Sequence, residues 1–437
     1  MDATADTVAY LPRVVDVLLA ERLRIMPMAV IDGPRACGKT TTASRLARRI
    51  LPLDRDSAAR EHAAHGTLPL DDGPFPTLLD EWQLAEPLWN QLRRISDRLG
   101  RPGLFLLTGS AQPADDITRH SGAGRVARLR MRTLSLFESG DSPGTVSLAG
   151  LFDGGACAAW PSDSPATMGQ TYDGDAAAQL RSVIDVLCRG GWPACVAMSP
   201  SDAQLYLTDY LEEICRVDIR QLAGRRHDPT NVRRTIASLA RHSGSAPTMK
   251  TLAADIAGRQ PLAHATLQSY LSTLEAIHIS EDQPHWSPHL ASRARLRQAA
   301  KRHLADPALA VNALSANAQR LLDDRVLLGH LFESLAVRDL RIYAHALGGS
   351  VYHYSDSNEL EADAIVELRD GRWIAVEVKL GEPSSIDEGA ASLNRLCDHI
   401  DTDRMGPPAK LLVITATGYA YERSDGVAVT PLTLLGP

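Results

Sequence analysis

Two lysines stand in company that could do chemistry. The run Gly33-Pro34-Arg35-Ala36-Cys37-Gly38-Lys39-Thr40-Thr41 follows an apolar stretch and precedes a helix-forming one. Glycines at its first and sixth positions let backbone N–H groups curl around phosphate oxygens. A helix starting there turns its positive dipole end to the same point. In such a loop Lys39 reaches the β- and γ-phosphates, and the Thr40 hydroxyl ligates Mg2+. These nine residues therefore predict an ATP site with Mg2+ as cofactor. A glycine-rich strand-to-helix turn is the plain alternative.

Farther along, "TLLDEWQ" ends an apolar strand on Asp80 and Glu81, the form of a Walker B strand. Asp80 would hold Mg2+ through water, and Glu81 would polarise the attacking water. The alternative is an acid pair capping the next helix. "LLTGS" ends a third strand on Thr108, Gly109 and Ser110. A polar residue there, Ser110 in particular, can sense the γ-phosphate from a neighbouring strand. Arg125 lies in the glycine-flanked "SGAGR", where a guanidinium could project into the site of a second protomer. An arginine that neutralises charge building on the γ-phosphate speeds phosphoryl transfer. That role requires a homo-oligomer, and Arg119, Arg128, Arg130 and Arg132 compete for it.

The second lysine, Lys379, is two residues from Glu377 in "GRWIAVEVKLG", so both point to one face of a strand. Asp363 lies on the strand before, Glu333 on the helix before that, and Glu361 is an additional acid nearby. Acids on adjacent strands can clamp a divalent metal, which lowers the pKa of a bound water. Lys379 would then position or activate that water, with Glu333, Asp363 and Glu377 as metal ligands. The alternatives are a strand-edge salt bridge and a nuclease fold kept only for docking.

The surrounding elements must position these groups. Residues 8–24 read as an amphipathic helix, 26–33 as a buried strand, 39–51 as a helix, and 75–82 and 104–111 as further strands. Such alternation implies a parallel sheet faced by helices. Residues 151–175, rich in Gly, Pro, Ser and Asp, read as a loop. Helices are expected near 176–190, 202–222, 228–244, 249–258 and 264–280; Leu267, Leu271 and Leu274 give the last an apolar face. The last three, followed by "IHISEDQPHW", fit a helix-turn-helix with a β wing. The tail reads as a helix over 325–346, strands, a helix near 385–401, and more strands.

Bulk properties exclude several classes. A chain of 437 residues, 44% hydrophobic and 23% charged, is globular and holds two to four domains. The net charge of −7 excludes a basic nucleic-acid coat. Charge is nonetheless segregated: residues 225–302 carry twelve Lys/Arg against five Asp/Glu. That segment could contact DNA or RNA through phosphates, with 264–277 as the groove helix. Six cysteines without CxxC spacing read as reduced thiols, and neither a secretory signal nor an apolar run of membrane-spanning length is evident. A cytoplasmic protein without membrane contact is expected. Only five of the basic residues are lysines (39, 250, 301, 379 and 410), so a lysine in a motif is less easily accidental.

The helix Glu333, Asp363 and Glu377-x-Lys379 resemble the pattern of the PD-(D/E)XK nuclease superfamily. The order "GPRACGKT", "LLDEWQ", "LLTGSA", "SGAGR", "LSLFESG", "HLFESL", "EADAIVE", "AVEVKLG" resembles a bacterial and archaeal family of AAA+-like ATPases. These join the ATPase to a C-terminal domain of unknown function with a restriction-endonuclease-like fold; Gly191-Trp192-Pro193 and "KRHLADPAL" look like its landmarks. The resemblance implies an α/β protein with a P-loop AAA+-like parallel sheet core (1–150), a loop and helical lid (151–224), a winged-helix segment (225–300) and a nuclease-like α/β tail (301–437). Two functions are compatible with it. One is an oligomeric ATPase acting on nucleic acid through the winged helix and tail. The other is a regulatory or assembly ATPase that switches protein partners and carries an inactive nuclease fold.

Overall fold

The structure is a computed structural model describing residues 10–109, 122–155, 157, 176–218, 228–256, 263–288, 299–356, 360–400 and 405–437. The chain divides into two compact units, Met1–Leu134 and Ser135–Pro437.

In the first unit the elements run α1 (Val15–Ile25), β1 (Met28–Asp32), α2 (Lys39–Ser44), β2 (Arg49–Pro52), α3 (Ser57–Ala64), β3 (Thr77–Asp80), α4 (Pro87–Leu99), β4 (Phe105–Gly109) and β5 (Val126–Arg130). The five strands form one parallel sheet in the order β2-β3-β4-β1-β5. Parallel strands covered on both faces read as unbroken apolar runs; accordingly every residue of β1 and of β4 is buried. Helix α4 shows the complementary pattern, with Leu88, Trp89, Leu92 and Ile95 buried at helical spacing. It opens with Pro87 and closes on Gly100 in the left-handed region (φ 60°).

Two local expectations are corrected. The helix expected over 39–51 stops at Ser44, and Arg49–Pro52 becomes the edge strand β2. Pro52 disfavours helix in the residue before it and lacks an N–H, which an edge strand tolerates. The stretch Val126–Arg130, for which the sequence pattern suggests no element, is β5, whose alternating burial follows period two.

The second unit begins with short pieces: α5 (Leu136–Ser139), β6 (Val146–Ser147) and α6 (Leu148–Phe152). Helices follow: α7 (Ala176–Arg189), α8 (Pro200–Glu213), α9 (Pro229–Arg241), α10 (Met249–Ile256), α11 (His264–Ala276), α12 (Pro307–Ala313), α13 (Ala318–Asp323) and α14 (Arg325–Ala346). Most of the expected 151–175 loop lies outside the described residues. Between α9 and α14, single β-bridges join Ser245 to Arg302, Ser280 to Leu304 and Gln283 to Lys301. The chain then forms β7 (Ser350–Ser355), β8 (Glu361–Glu367), β9 (Trp373–Lys379), α15 (Pro383–His399), β10 (Lys410–Thr415), β11 (Tyr421–Glu422), β12 (Ala428–Pro431) and β13 (Leu435–Gly436). Six of these strands make a mixed sheet, β11-β12-β10-β9-β8-β7; β13 pairs with β6.

The two landmark segments meet in this unit. The Gly191 N–H donates to Asp306 Oδ2 at 3.0 Å, Trp192 is fully buried, and Asp306 caps α12 through the Ala308 N–H at 3.0 Å. Arg338 of α14, itself buried, bridges Asp306 (2.9 Å) and Asp339 (2.8 Å). All six cysteines are free thiols.

Candidate functional site

The sheet order of the first unit brings three strand ends together. Asp32 at the end of β1 is in register with Gly109 of β4, and Thr108 of β4 is in register with Asp80 of β3. The phosphate-loop candidate leaves β1 at this edge. Gly33 has no room for a side chain: a Cβ there would lie 2.1 Å from the Met131 carbonyl oxygen. Gly38 sits at φ 102°, a region L-residues avoid, and it precedes α2 directly. Between them Pro34 and Cys37 are buried, while Arg35, Ala36, Thr40 and Thr41 are exposed.

Lys39 folds back across this loop. Its Nζ donates to the carbonyls of Gly33 (2.9 Å) and Pro34 (2.7 Å), closing a ring with the ammonium inside. The Thr40 hydroxyl donates to Asp80 Oδ1 at 2.7 Å, and the Thr108 hydroxyl donates to the same oxygen at 2.6 Å. The two hydroxyls and the carboxylate thus come from three elements far apart in sequence, α2, β4 and β3. Thr40 beside Asp80 is the oxygen pair that an octahedral Mg2+ takes, directly or through water, so these residues fit that ion. Glu81 holds a left-handed backbone conformation (φ 54°, ψ 43°) and accepts from the Gln83 amide. For a non-glycine residue that is strain of order 1 kcal/mol. Ser110 lies outside the described residues.

Arg125 occupies the other end of the sheet. Its carbonyl accepts from the Met28 N–H at the start of β1, and its guanidinium pairs with Asp97 of α4. It therefore cannot reach the phosphate loop of its own chain. Arg128 is nearer that loop, 3.1 Å from Asp32 Oδ2. Burial raises the Asp32 pKa, with Arg128 and Lys39 opposing the shift.

Sequence reasoning did not identify Arg13 or Gln83. Arg13 is buried and donates to the Cys37 carbonyl (2.8 Å) and the Arg132 carbonyl (2.7 Å), bracing the loop from the start of α1. No local pattern marks Arg13, because its partners are brought near by the fold, whereas Gln83 is two residues from the Glu81 it contacts.

The second cluster is on α14, β8 and β9. Glu333, Asp363, Glu377 and Lys379 are brought together, joined by a residue not anticipated as part of the site: Lys301. The Lys301 Nζ is 2.7 Å from Glu333 Oε1 and 3.5 Å from Asp363 Oδ1. Asp363 Oδ2 accepts the Val378 N–H at 2.8 Å, and Glu377 Oε2 accepts from Lys379 Nζ at 2.6 Å. Burial, then the Asp363 charge, pushes the Glu333 carboxyl up to about 8, and Glu377 moves the same way for the same reasons. Burial opposes the charge on Lys301, but Glu333 and Asp363 outweigh it and its pKa lies above the ordinary lysine value. Among the described residues, no group of three or more His, Cys, Asp or Glu side chains is arranged to hold a metal ion. The signal for Lys301 was the scarcity of lysine together with its place in a landmark segment.

The basic segment uses much of its charge internally. Of its six described basic residues, Arg233 pairs with Glu212, Arg241 with Asp255, Lys301 with Glu333, and Arg302 with Asp282. The exposed positions of α11 include His264, Gln268, Ser269, Ser272 and Glu275, and the helix carries no Lys or Arg. No helix among the described residues is long and apolar enough to cross a membrane.

Comparison with known proteins agrees with the loop geometry. Residues 26–139 match an AAA domain; residues 180–320 and 328–435 match two domains of unknown function, DUF8612 and DUF4143. The chain is 25% identical over 419 residues to uncharacterized protein Rv2008c of Mycobacterium tuberculosis and to uncharacterized protein Mb2031c of Mycobacterium bovis. In each case the alignment covers 94% of this chain and 82% of the relative. Among solved structures it is similar to the Walker-type ATPase PABY2304 of Pyrococcus abyssi, at 13% identity and a TM-score of 0.42, covering 68% of this chain and 94% of that one. The phosphate-loop candidate and the acid-tipped strand beside it both lie within residues 26–139, which match the AAA domain.

Proposed function

We propose that the protein binds ATP with Mg2+ at Gly33–Thr41 and hydrolyses it, and that the nucleotide state regulates the second unit. The observation that carries this reading is the convergence of the Thr40 and Thr108 hydroxyls on one oxygen of Asp80 (2.7 and 2.6 Å), with Lys39 closing the loop beside them. Thr40 and Asp80 would hold Mg2+, which neutralises charge on the phosphates. Lys39 would exchange its two carbonyl partners for phosphate oxygens, a stronger charge-assisted pairing. Glu81, oriented by Gln83, would take the attacking water, and Thr108 would keep Asp80 aimed at the metal. Arg125, just before β5 and away from its own loop, is suited to a neighbouring protomer's nucleotide once its pairing with Asp97 opens. That role makes the active form a homo-oligomer.

For the second unit, the order helix–strand–strand–strand–helix–strand from α14 to β10 supports a nuclease-type fold. The helices α9, α10 and α11, with their bridges in the order 245–302–280, support a winged helix before it. The lysine-paired acids favour the reading in which this fold regulates instead of cutting. Since α11 offers no cation, any DNA or RNA contact would fall to basic residues elsewhere in the segment, such as the exposed Arg234 and Lys250.

The test is phosphate release by the purified protein. Glu81→Gln should keep ATP affinity and lose at least about 100-fold in turnover, since the water loses its base. Normal hydrolysis by that variant would remove Glu81 from the mechanism.

A further inference from the structure

The acid cluster of the second unit is where a nuclease of this topology would hold a divalent metal. The residues present do not fit one. Glu333 and Asp363, on α14 and β8, face a common point, and the Lys301 ammonium is at it, 2.7 Å from one carboxylate and 3.5 Å from the other. The second Asp363 oxygen is taken by the Val378 N–H, and Glu377 by Lys379. A metal would have to displace a buried ammonium from two carboxylates and then share the pocket with its positive charge.

We infer that Lys301 is a built-in replacement for the metal: its side-chain cation occupies the point between Glu333 and Asp363, so the native protein holds no divalent ion there and cuts no nucleic acid by metal catalysis. This rests on the nuclease-type reading of the tail given above.

Lys301 is held firmly in this position. Its backbone pairs in both directions with Gln283 (N–H to carbonyl, 2.9 and 3.0 Å). The Gln283 side chain in turn donates to the Tyr352 carbonyl (3.0 Å) and the Asp363 carbonyl (2.9 Å), and its Oε1 is 3.0 Å from His303 Nε2. His303 Nδ1 lies 2.9 Å from the Ser334 hydroxyl, one residue from Glu333. Three elements therefore fix the lysine's strand against the acids, and the side chain has 12% of its surface exposed. Lysine serves here because its compact point charge sits between two carboxylates as a small cation would. The arrangement also ties the bridge region after α11 to the sheet of the tail: removing the lysine would leave two buried acids facing each other without a cation.

The experiment uses full-length, nucleotide-free protein and Mn2+ alone as the probe, read by the paramagnetic signal of unbound Mn2+ and by thermal melting. Wild type should take up no Mn2+ and show no shift. Lys301→Met should take up about one Mn2+ per chain and melt about 5 °C higher at a hundredfold excess over its Kd. Adding Asp363→Asn to that variant should abolish the uptake. Equal uptake by wild type and Lys301→Met, no uptake by a folded Lys301→Met, or uptake that survives Asp363→Asn would each overturn the inference. Should Lys301→Met not fold, wild type decides: no uptake at millimolar Mn2+ upholds the inference, and uptake lost in Asp363→Asn overturns it. ATP titration scores the phosphate loop separately, so failure there leaves this result standing.

Discussion

Arg338 offers the most quantitative test of how the second unit is held together. It lies on α14, 4% exposed, and donates to Asp306 at 2.9 Å and Asp339 at 2.8 Å, both fully buried. Asp306 also accepts the Gly191 and Ala308 N–H groups, and Asp339 Oδ2 accepts the Leu136 N–H at 2.9 Å. Substituting Arg338→Met keeps the apolar stem and removes the charge. Burial has already pushed the Asp339 carboxyl up to about 6 against the pull of Arg338; without that pull it rises further, so at pH 7 it takes a proton at a cost below about 1.4 kcal/mol. Asp306 loses the partner of a fully buried charge, and removing one member of such a network costs about 3–5 kcal/mol. Hydrogen exchange reads α14 locally, apart from the first unit. Hydrogen exchange of peptides covering α14 at pH 7 should speed by about 10^2- to 10^3-fold, since each 1.4 kcal/mol is a factor of ten. The melting deficit should narrow at pH 5, where Asp339 is protonated, and ATP affinity should not change. Exchange within threefold of wild type would refute the reasoning.

Two further predictions follow from the same geometry. Burial lowers the His353 pKa to about 4, with the Lys301 charge adding to the shift, while its ring Nε2–H donates to the Ala299 carbonyl at 3.0 Å. A folded-state value below the unfolded one means the stabilisation is complete above about pH 6.5 and is lost as pH falls toward 4. Relative to His353→Gln, which does not titrate, wild type should lose about 1.4 kcal/mol per pH unit across that window in denaturant titrations; the opposite drift from Glu333 cancels in the difference, and a flat difference would contradict the assignment. Arg125→Ala should leave ATP affinity unchanged, and mixing it with Lys39→Ala at assembly-permitting concentrations should restore part of the ATPase activity; no recovery would rule out a finger acting between protomers.

The parts of this fold that were legible in the sequence are those whose signal is local. Helix α14 is anticipated at its observed limits, Arg325–Ala346, because it is long and is followed at once by strand patterns. Strands β1, β3 and β4 show as apolar runs because both faces of a parallel sheet are covered. The phosphate loop stands out because glycine, lysine and threonine at fixed spacing serve one geometry. Strand β2 was hidden because its helix-forming neighbours outweighed one proline, and β5 because alternating arginines resemble a charged loop. Roles that depend on a distant partner are not written locally: Arg13 on the Cys37 carbonyl, and Lys301 between Glu333 and Asp363. The net charge of the 225–302 segment was countable, but its consumption by Glu212, Asp255, Asp282 and Glu333 was not, since ion pairs are set by tertiary contacts.

The central claim is that the ammonium of Lys39, now resting on the Gly33 and Pro34 carbonyls, is kept for nucleotide phosphate. Calorimetric titration of wild type and Lys39→Ala with ATP·Mg tests it most directly. Wild type should bind one ATP per chain, and the variant should bind about 100-fold more weakly, the loss of a charge-assisted pairing worth 2–3 kcal/mol. Heat of binding absent from wild type, or the same affinity in both proteins, would contradict the account.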